Sequence, residues 1–348
     1  MSGAGTAAVG GSVAYNELGD YSADEHHELK DKQVNRAAIE NTDITTDASG
    51  ASVTVSAKDV SYLDTVSGAV GAAESAAVEG AASVSRLGRI TRAEMFGTGI
   101  DKDAESRSSF ANTKVSADSR GNIFNGAIML AASGGASVGA GVSVMEDSAD
   151  VAASLSDSTV HAGDLSVQAV TKDTAASIGV GGSGGMYAGV AGSVAVNLLN
   201  GYTRANIADS VVTSENNVTV AAMSDTSLDN YAGTVTFAAT GGAVGVSVSV
   251  NDIQNETSAG ISGAGTQITA KSSGTAVKVA DTVNDSEIIH DFVNTTGNMT
   301  PTYTLTRTDT EYKGIAVSSS ATNKINSLIV NGALSRKAVR WQVLSMST

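Results

Sequence analysis

The sequence has no cysteine and one proline, Pro301. Disulfide staples are therefore excluded, although a long repeat protein has no need of them. Aromatic residues make up only 4% of the chain, with Trp 1, Tyr 8 and Phe 5. That excludes a conventional core filled by large rings, so any interior must be thin and built from Val, Ala, Ile and smaller residues. Basic residues are scarce, Lys+Arg 21 against Asp+Glu 36, and the formal charge is −15. Nucleic-acid binding needs a basic footprint and is excluded as a function class. No run of about 18 apolar residues without charge is present, so no membrane-spanning segment is expected. The opening Met1-Ser2-Gly3-Ala4-Gly5 is neither basic nor apolar and does not read as a signal peptide.

What the chain does have is glycine, 38 residues, with abundant alanine and serine. Such a composition also suits disorder, but 41% hydrophobic content and many Val-x-Val alternations argue for strands. The alternations recur at a fixed spacing. Gly192-Ser193-Val194-Ala195-Val196-Asn197 returns as Val246-Ser247-Val248-Ser249-Val250-Asn251, with Asn197 and Asn251 separated by 54 residues. Ala153 to Val160 aligns with Ala205 to Val212 at a shift of 52, and Leu165 to Ala169 aligns with Val218 to Ala222 at 53. Repeats of about 52–54 residues are the signature of a stacked architecture. Gly and β-branched residues form helices poorly, and no 3.6-residue period is sustained. The fold class is therefore all-β, a β-solenoid. Solenoid coils of roughly 20–26 residues would place two or three coils in each repeat and stack the chain to roughly 65–85 Å. Asn at the end of each small-residue run is expected at a tight turn, since it tolerates positive φ.

The repeats are expected over residues 1–280, resuming over 314–335. Polar or charged insertions interrupt them near 20–36, 86–109 and 281–313, the second as a loop or short helix that protrudes. Residues 336–348, with the only Trp, form an atypical tail. The first repeat begins within the opening residues, at Gly10 to Asn16, which suggests a piece of something longer.

The runs Gly139 to Val144, Gly192 to Asn197 and Gly245 to Asn251 are each followed by Ala-x-Ile/Leu-x-Asp-Ser-x-Val and Val-x-Val-x-Ala segments or variants of them. This pattern resembles large bacterial filamentous adhesins, the filamentous-haemagglutinin-like and leukotoxin-type exoproteins exported by type V systems. The resemblance implies a right-handed parallel β-helix shaft, secretion to the bacterial cell surface by an outer-membrane export machinery, and attachment to receptors or glycans on host or neighbouring cells. The chain lacks that family's secretion domain and C-terminal barrel. Alternatives are a purely structural spacer and a β-helix enzyme acting on polysaccharide.

No residue is assigned a catalytic, cofactor-binding or metal-binding role. Gly181-Gly182-Ser183-Gly184-Gly185 matches the nucleophile-elbow string, but a glycine run without a following helix reads as a plain turn. Asp24-Glu25-His26-His27-Glu28 has metal-ligand side chains without a ligand spacing, and reads as a solvated loop. Asp101-Lys102-Asp103-Ala104-Glu105 begins like a calcium loop, but Ser106 stands where that loop needs glycine. His161 and His290 are isolated. Asn217-Val218-Thr219 and Asn294-Thr295-Thr296 are glycosylation strings. Paired carboxylates with aromatic platforms, the apparatus of a glycosidase, are not apparent, so a non-enzymatic role is expected. The three insertions are the expected contact surfaces, because loops on a rigid scaffold carry function.

Overall fold

Alternating apolar and small residues, broken only by short Gly, Ser and Asp turns, yield strands and no helix among the described residues. A computed structural model describes residues 2–19, 34–46, 50–102, 110–284, 306–335 and 338–347. Taken coil by coil, the first coil holds β1 (Ser2–Ala4), β2 (Ala7–Leu18), β3 (Val34–Glu40) and β4 (Asp43–Ile44). The second holds β5 (Ser52–Ala73), β6 (Ala76–Phe96) and β7 (Gly99–Ile100), and the third β8 (Asn112–Ser133), β9 (Ala136–Ser156) and β10 (Thr159–Ala162). The fourth holds β11 (Leu165–Gly185), β12 (Ala188–Ala208) and β13 (Val211–Ser214), and the fifth β14 (Val218–Ala238), β15 (Gly242–Ser262) and β16 (Gln267–Ala270). An antiparallel pair, β17 (Val277–Asn284) and β18 (Thr306–Tyr312), precedes β19 (Ile315–Ser335) and β20 (Ala338–Ser347).

Equivalent strands of successive coils pair in parallel and build three sheets, the arrangement of a parallel β-solenoid. Sheet A runs β1-β5-β8-β11-β14-β19-β20, sheet B runs β15-β12-β9-β6-β2 with β3 also on β6, and a narrow sheet C runs β16-β13-β10-β7-β4. Only β20, which pairs with β19, enters sheet A antiparallel.

The sequence repeats are the structural register. Asn197 pairs with Asn251, Ala153 with Ala205 and Leu165 with Val218. Each repeat is a single coil, however, not two or three. The expected short coil fails because β11 and β12 each run 21 residues without a break. Seven strands at about 4.8 Å stack to only about 30 Å, while a 21-residue strand extends for about 70 Å. The molecule is wide and short where a narrow and tall one was expected.

Pairing offsets locate the changes in coil length: one falls within the face of sheet B, where β2 pairs with β6 at an offset of 69 and β3 at 56, and the two largest others lie at corners. Ser52 pairs with Asn112, 60 residues on, and Thr113 with Leu165, 52 on. The eight-residue difference lies between β7 and β8. Val218 pairs with Ile315, 97 residues on, and the surplus lies between β16 and β19. The 281–313 insertion thus starts and finishes as the β17–β18 pair, its middle lying outside the described residues, as does most of 20–36. Residues 86–96 are different: they do not protrude but complete β6, because every second side chain there turns inward.

The corner between sheets B and C explains the Asp-Ser element of the repeat. Asn41, Gly97, Asp157, Asp209 and Gly263 occupy it in successive coils, and all have positive φ, between 46° and 99°. Only Gly, Asn and Asp enter that region readily. The next residue locks the turn. Ser158 and Ser210 donate their hydroxyls to the carbonyls of Ser156 and Ala208, at 2.7 Å each. Ser210 Oγ also accepts from the Ser158 amide of the coil below, and Ser158 Oγ from the Thr98 amide, both at 3.1 Å.

Along the coil the interior changes character. Where the three sheets meet, rows such as Val55, Val115, Val167 and Val220 pack with Leu155, Ile207, Ile100 and Val160. At the far end sheets A and B face each other alone, joined by short turns such as Met186-Tyr187. This two-sheet arm is filled by small residues such as Ala77, Ser143, Gly181 and Ala195, with Met129 its largest apolar side chain. Asn197 and Asn251 lie inside, mid-strand, and not at a turn as expected: Asn197 Nδ2 donates to Asn251 Oδ1 at 2.8 Å.

Candidate interaction surface

Burial inside the coil removes most of the sequence-level candidates. Ser183 is an inward residue of β11, so the Gly181–Gly185 string is strand and not the turn expected of it. Asn217 is 2% exposed and donates to Asp164 and to the Thr275 carbonyl, which leaves its glycosylation string closed to solvent. Asp101 accepts two hydrogen bonds from Thr46, at 2.8 and 2.6 Å, and closes a corner. The remainder of its acidic string, residues 103–105, lies outside the described residues, as do Asp24 to Glu28, His290 and Asn294. His161 stacks on Phe110, with ring centroids 3.5 Å apart, and its Nε2 lies 3.0 Å from Glu215. Lys271, at 2.6 Å, and then His161 hold the Glu215 carboxyl below its usual range. No group of three or more metal-ligating side chains occurs among the described residues.

A buried ion cluster divides the two halves of the coil. Arg89 points inward from β6 and is fully buried. Its guanidinium binds Asp147 of β9 at 2.9 Å and Asp173 of β11 at 2.7 Å, and donates to Ser119 at 3.1 Å. Gly121 makes room for it, since a Cβ there would sit 2.6 Å from the guanidinium carbon, and its amide donates to Asp173. Burial, countered by Arg89, pushes the Asp147 carboxyl up to about 7. The three side chains come from three coils and two sheets, so sequence spacing gave no sign of them.

The outer faces carry the surface features. Near the three-sheet end, sheet B presents charge: Asp150 bridges Arg92 at 3.1 Å and Arg204 at 2.8 Å, and Arg86 pairs with Glu146 at 2.9 Å. On the arm the pattern inverts, and valines point outward. In β12 the outward residues are Ala188, Val190, Gly192, Val194 and Val196, and each heads a row running through β2, β6, β9 and β15. The five rows contain no charged residue. Val9 is 77% exposed, Val190 42% and Val244 53%. The next row, Glu17, Arg86, Glu146, Leu198 and Asp252, marks the boundary. Sheet A of the arm also exposes apolar residues, among them Val66, Leu130 and Phe237.

Sequence reasoning found the alternation and expected valine in the interior, without saying which valines face inward. The glycines, serines and alanines between them were the available signal. No helix among the described residues is long and apolar enough to cross a membrane. Comparison with protein-family models, characterised proteins and solved structures gives no match.

Proposed function

We propose that the chain is a shaft segment of an exported bacterial surface adhesin, non-enzymatic, which holds binding regions away from the cell. One observation carries this reading. Each repeat is one complete coil stacked in register on the last, as in the pairing of Leu165 to Val218 through Gly185 to Ala238. Such units add along a single axis without limit, which suits a spacer or filament. Insertions, one between β2 and β3 along sheet B and one between β17 and β18, supply places for contact with receptors or glycans on other cells. Contact of this kind would act through many weak sites at once.

The test is adhesion of beads coated with the purified chain to epithelial cells and to other bacteria. Binding that disappears when residues 20–33 and 285–305 are deleted supports adhesion through the insertions. Binding that survives places the contacts on the coils. Absence of binding by the intact chain leaves a spacer, and cleavage of any member of a polysaccharide panel overturns the non-enzymatic reading.

A further inference from the structure

We infer that the valine face of sheet B, on the two-sheet arm, is an interface between two copies of this chain packed face to face. Its size fits. Five rows at two residues each, across five strands, cover about 33 Å by 24 Å, or about 800 Å². That is about what each partner contributes to a stable protein interface.

Its relief also fits. The row Gly11, Gly80, Ala140 and Gly192 is a groove, closed on β15 by Val246 and flanked by the valine rows that contain Val190 and Val194. When the two glycine rows face each other, the flanking valine ridges of both copies can pack against one another on either side, as the inner faces of two sheets do about 10 Å apart. Lipid would have no use for such relief. Hydrocarbon would also meet the backbone edges of β2 and β15, which lie at the two ends of sheet B with no further strand beside them among the described residues.

Charge selects the geometry. Two chains of −15 repel, and the charged row from Glu17 to Asp252 borders the patch on one side only. A two-fold axis along the stacking direction, over the glycine row, reverses the strands of the partner. The patches then coincide while the charged halves lie at opposite ends. Because the axis follows the stack, every added coil lengthens the same seam, and two shafts pair side by side. This extends the shaft reading but does not depend on it, since it concerns self-association alone.

Light scattering of the intact chain at micromolar concentration should give twice 34.7 kDa. The pair Val142→Asp and Val194→Asp should raise the dissociation constant at least about a hundredfold, because burying unpaired carboxylates is costly. Its far-UV circular dichroism should match that of the parent, which shows that the coils still form, since both side chains point outward. A crosslink provides a readout independent of that variant. The chain has no cysteine, and Ala140 sits on the central row of the central strand. Ala140→Cys should oxidise to a covalent dimer, whereas Asn206→Cys, on the charged half, should not. A monomeric parent, a dimer indifferent to the two aspartates, or crosslinking at 206 and not 140 would overturn the interface. So would a monomer that floats with phosphatidylcholine vesicles, which would assign the face to lipid.

Discussion

The two ends of a single coil use the same residues in opposite ways. At the three-sheet end, Val55, Val115, Val167 and Val220 point inward and the exterior carries Arg92, Asp150 and Arg204. On the arm, Val190, Val194 and Val196 point outward and the interior is Gly, Ala and Ser. Spacing between layers accounts for the difference. Three sheets enclose a wedge that needs branched side chains to fill it. Two sheets alone draw so close that a Cβ on Gly181 would lie 2.8 Å from the Gly192 carbonyl oxygen, and one on Gly189 2.5 Å from that of Phe237. Valine then supports the strand from outside, where its branching favours extended backbone without occupying the interior.

The boundary between the two regimes is where disruption should cost most. Arg89→Met leaves Asp147 and Asp173 buried without their cation and is expected to lower stability by about 3–5 kcal/mol, measured by denaturant unfolding. Replacing all three with apolar residues should recover most of that loss. The same cluster sets a pH dependence. The folded Asp147 carboxyl titrates near 7, above its value in the unfolded chain, so the folded state holds the extra proton in between. Stability is therefore full at about pH 4 and falls as pH rises through about 7, and Arg89→Met should carry that fall to higher pH. Next in size is the contrast itself. Leu155→Ala, in the three-sheet core, is expected to cost about 2–5 kcal/mol. Val194→Ala on the arm should stay within about 0.5 kcal/mol. Equal losses at the two positions would collapse the distinction between the regimes. A smaller loss than at Leu155 belongs to the corner. Ser210→Ala strands the buried Ser158 amide and should cost about 1–2 kcal/mol, visible as a lower melting temperature.

Much of the fold could be read from the chain because the repeat length is the pairing offset. Asn197 and Asn251 were identifiable as equivalents before any coordinate, and they are hydrogen-bonded neighbours. Coil size was not legible. Val-x-Val alternation is the same in a 5-residue and a 21-residue strand, and the Gly-rich stretches that look like turns, Gly181 to Gly185 among them, are strand. Nor was phase legible, since a period of two does not say which set of residues faces in. The Asp-Ser corner was visible as a motif, but its left-handed backbone was not anticipated. The Arg89 cluster was beyond reach: Asp147 and Asp173 stand 58 and 84 residues from Arg89, and only the stacking of coils brings them together.

The length of a coil also bears on how the molecule reaches its native state. Almost every strand pairing joins residues 52 to 60 apart or more, so the first pair of coils must close a long loop before any ladder forms. Once two coils exist, the next one lands on a template of two 21-residue edges and gains hydrogen bonds residue by residue. Folding should thus resemble crystal growth, with a slow nucleus and fast addition at an open edge. Its rate would then be governed by whichever neighbouring coils first come together.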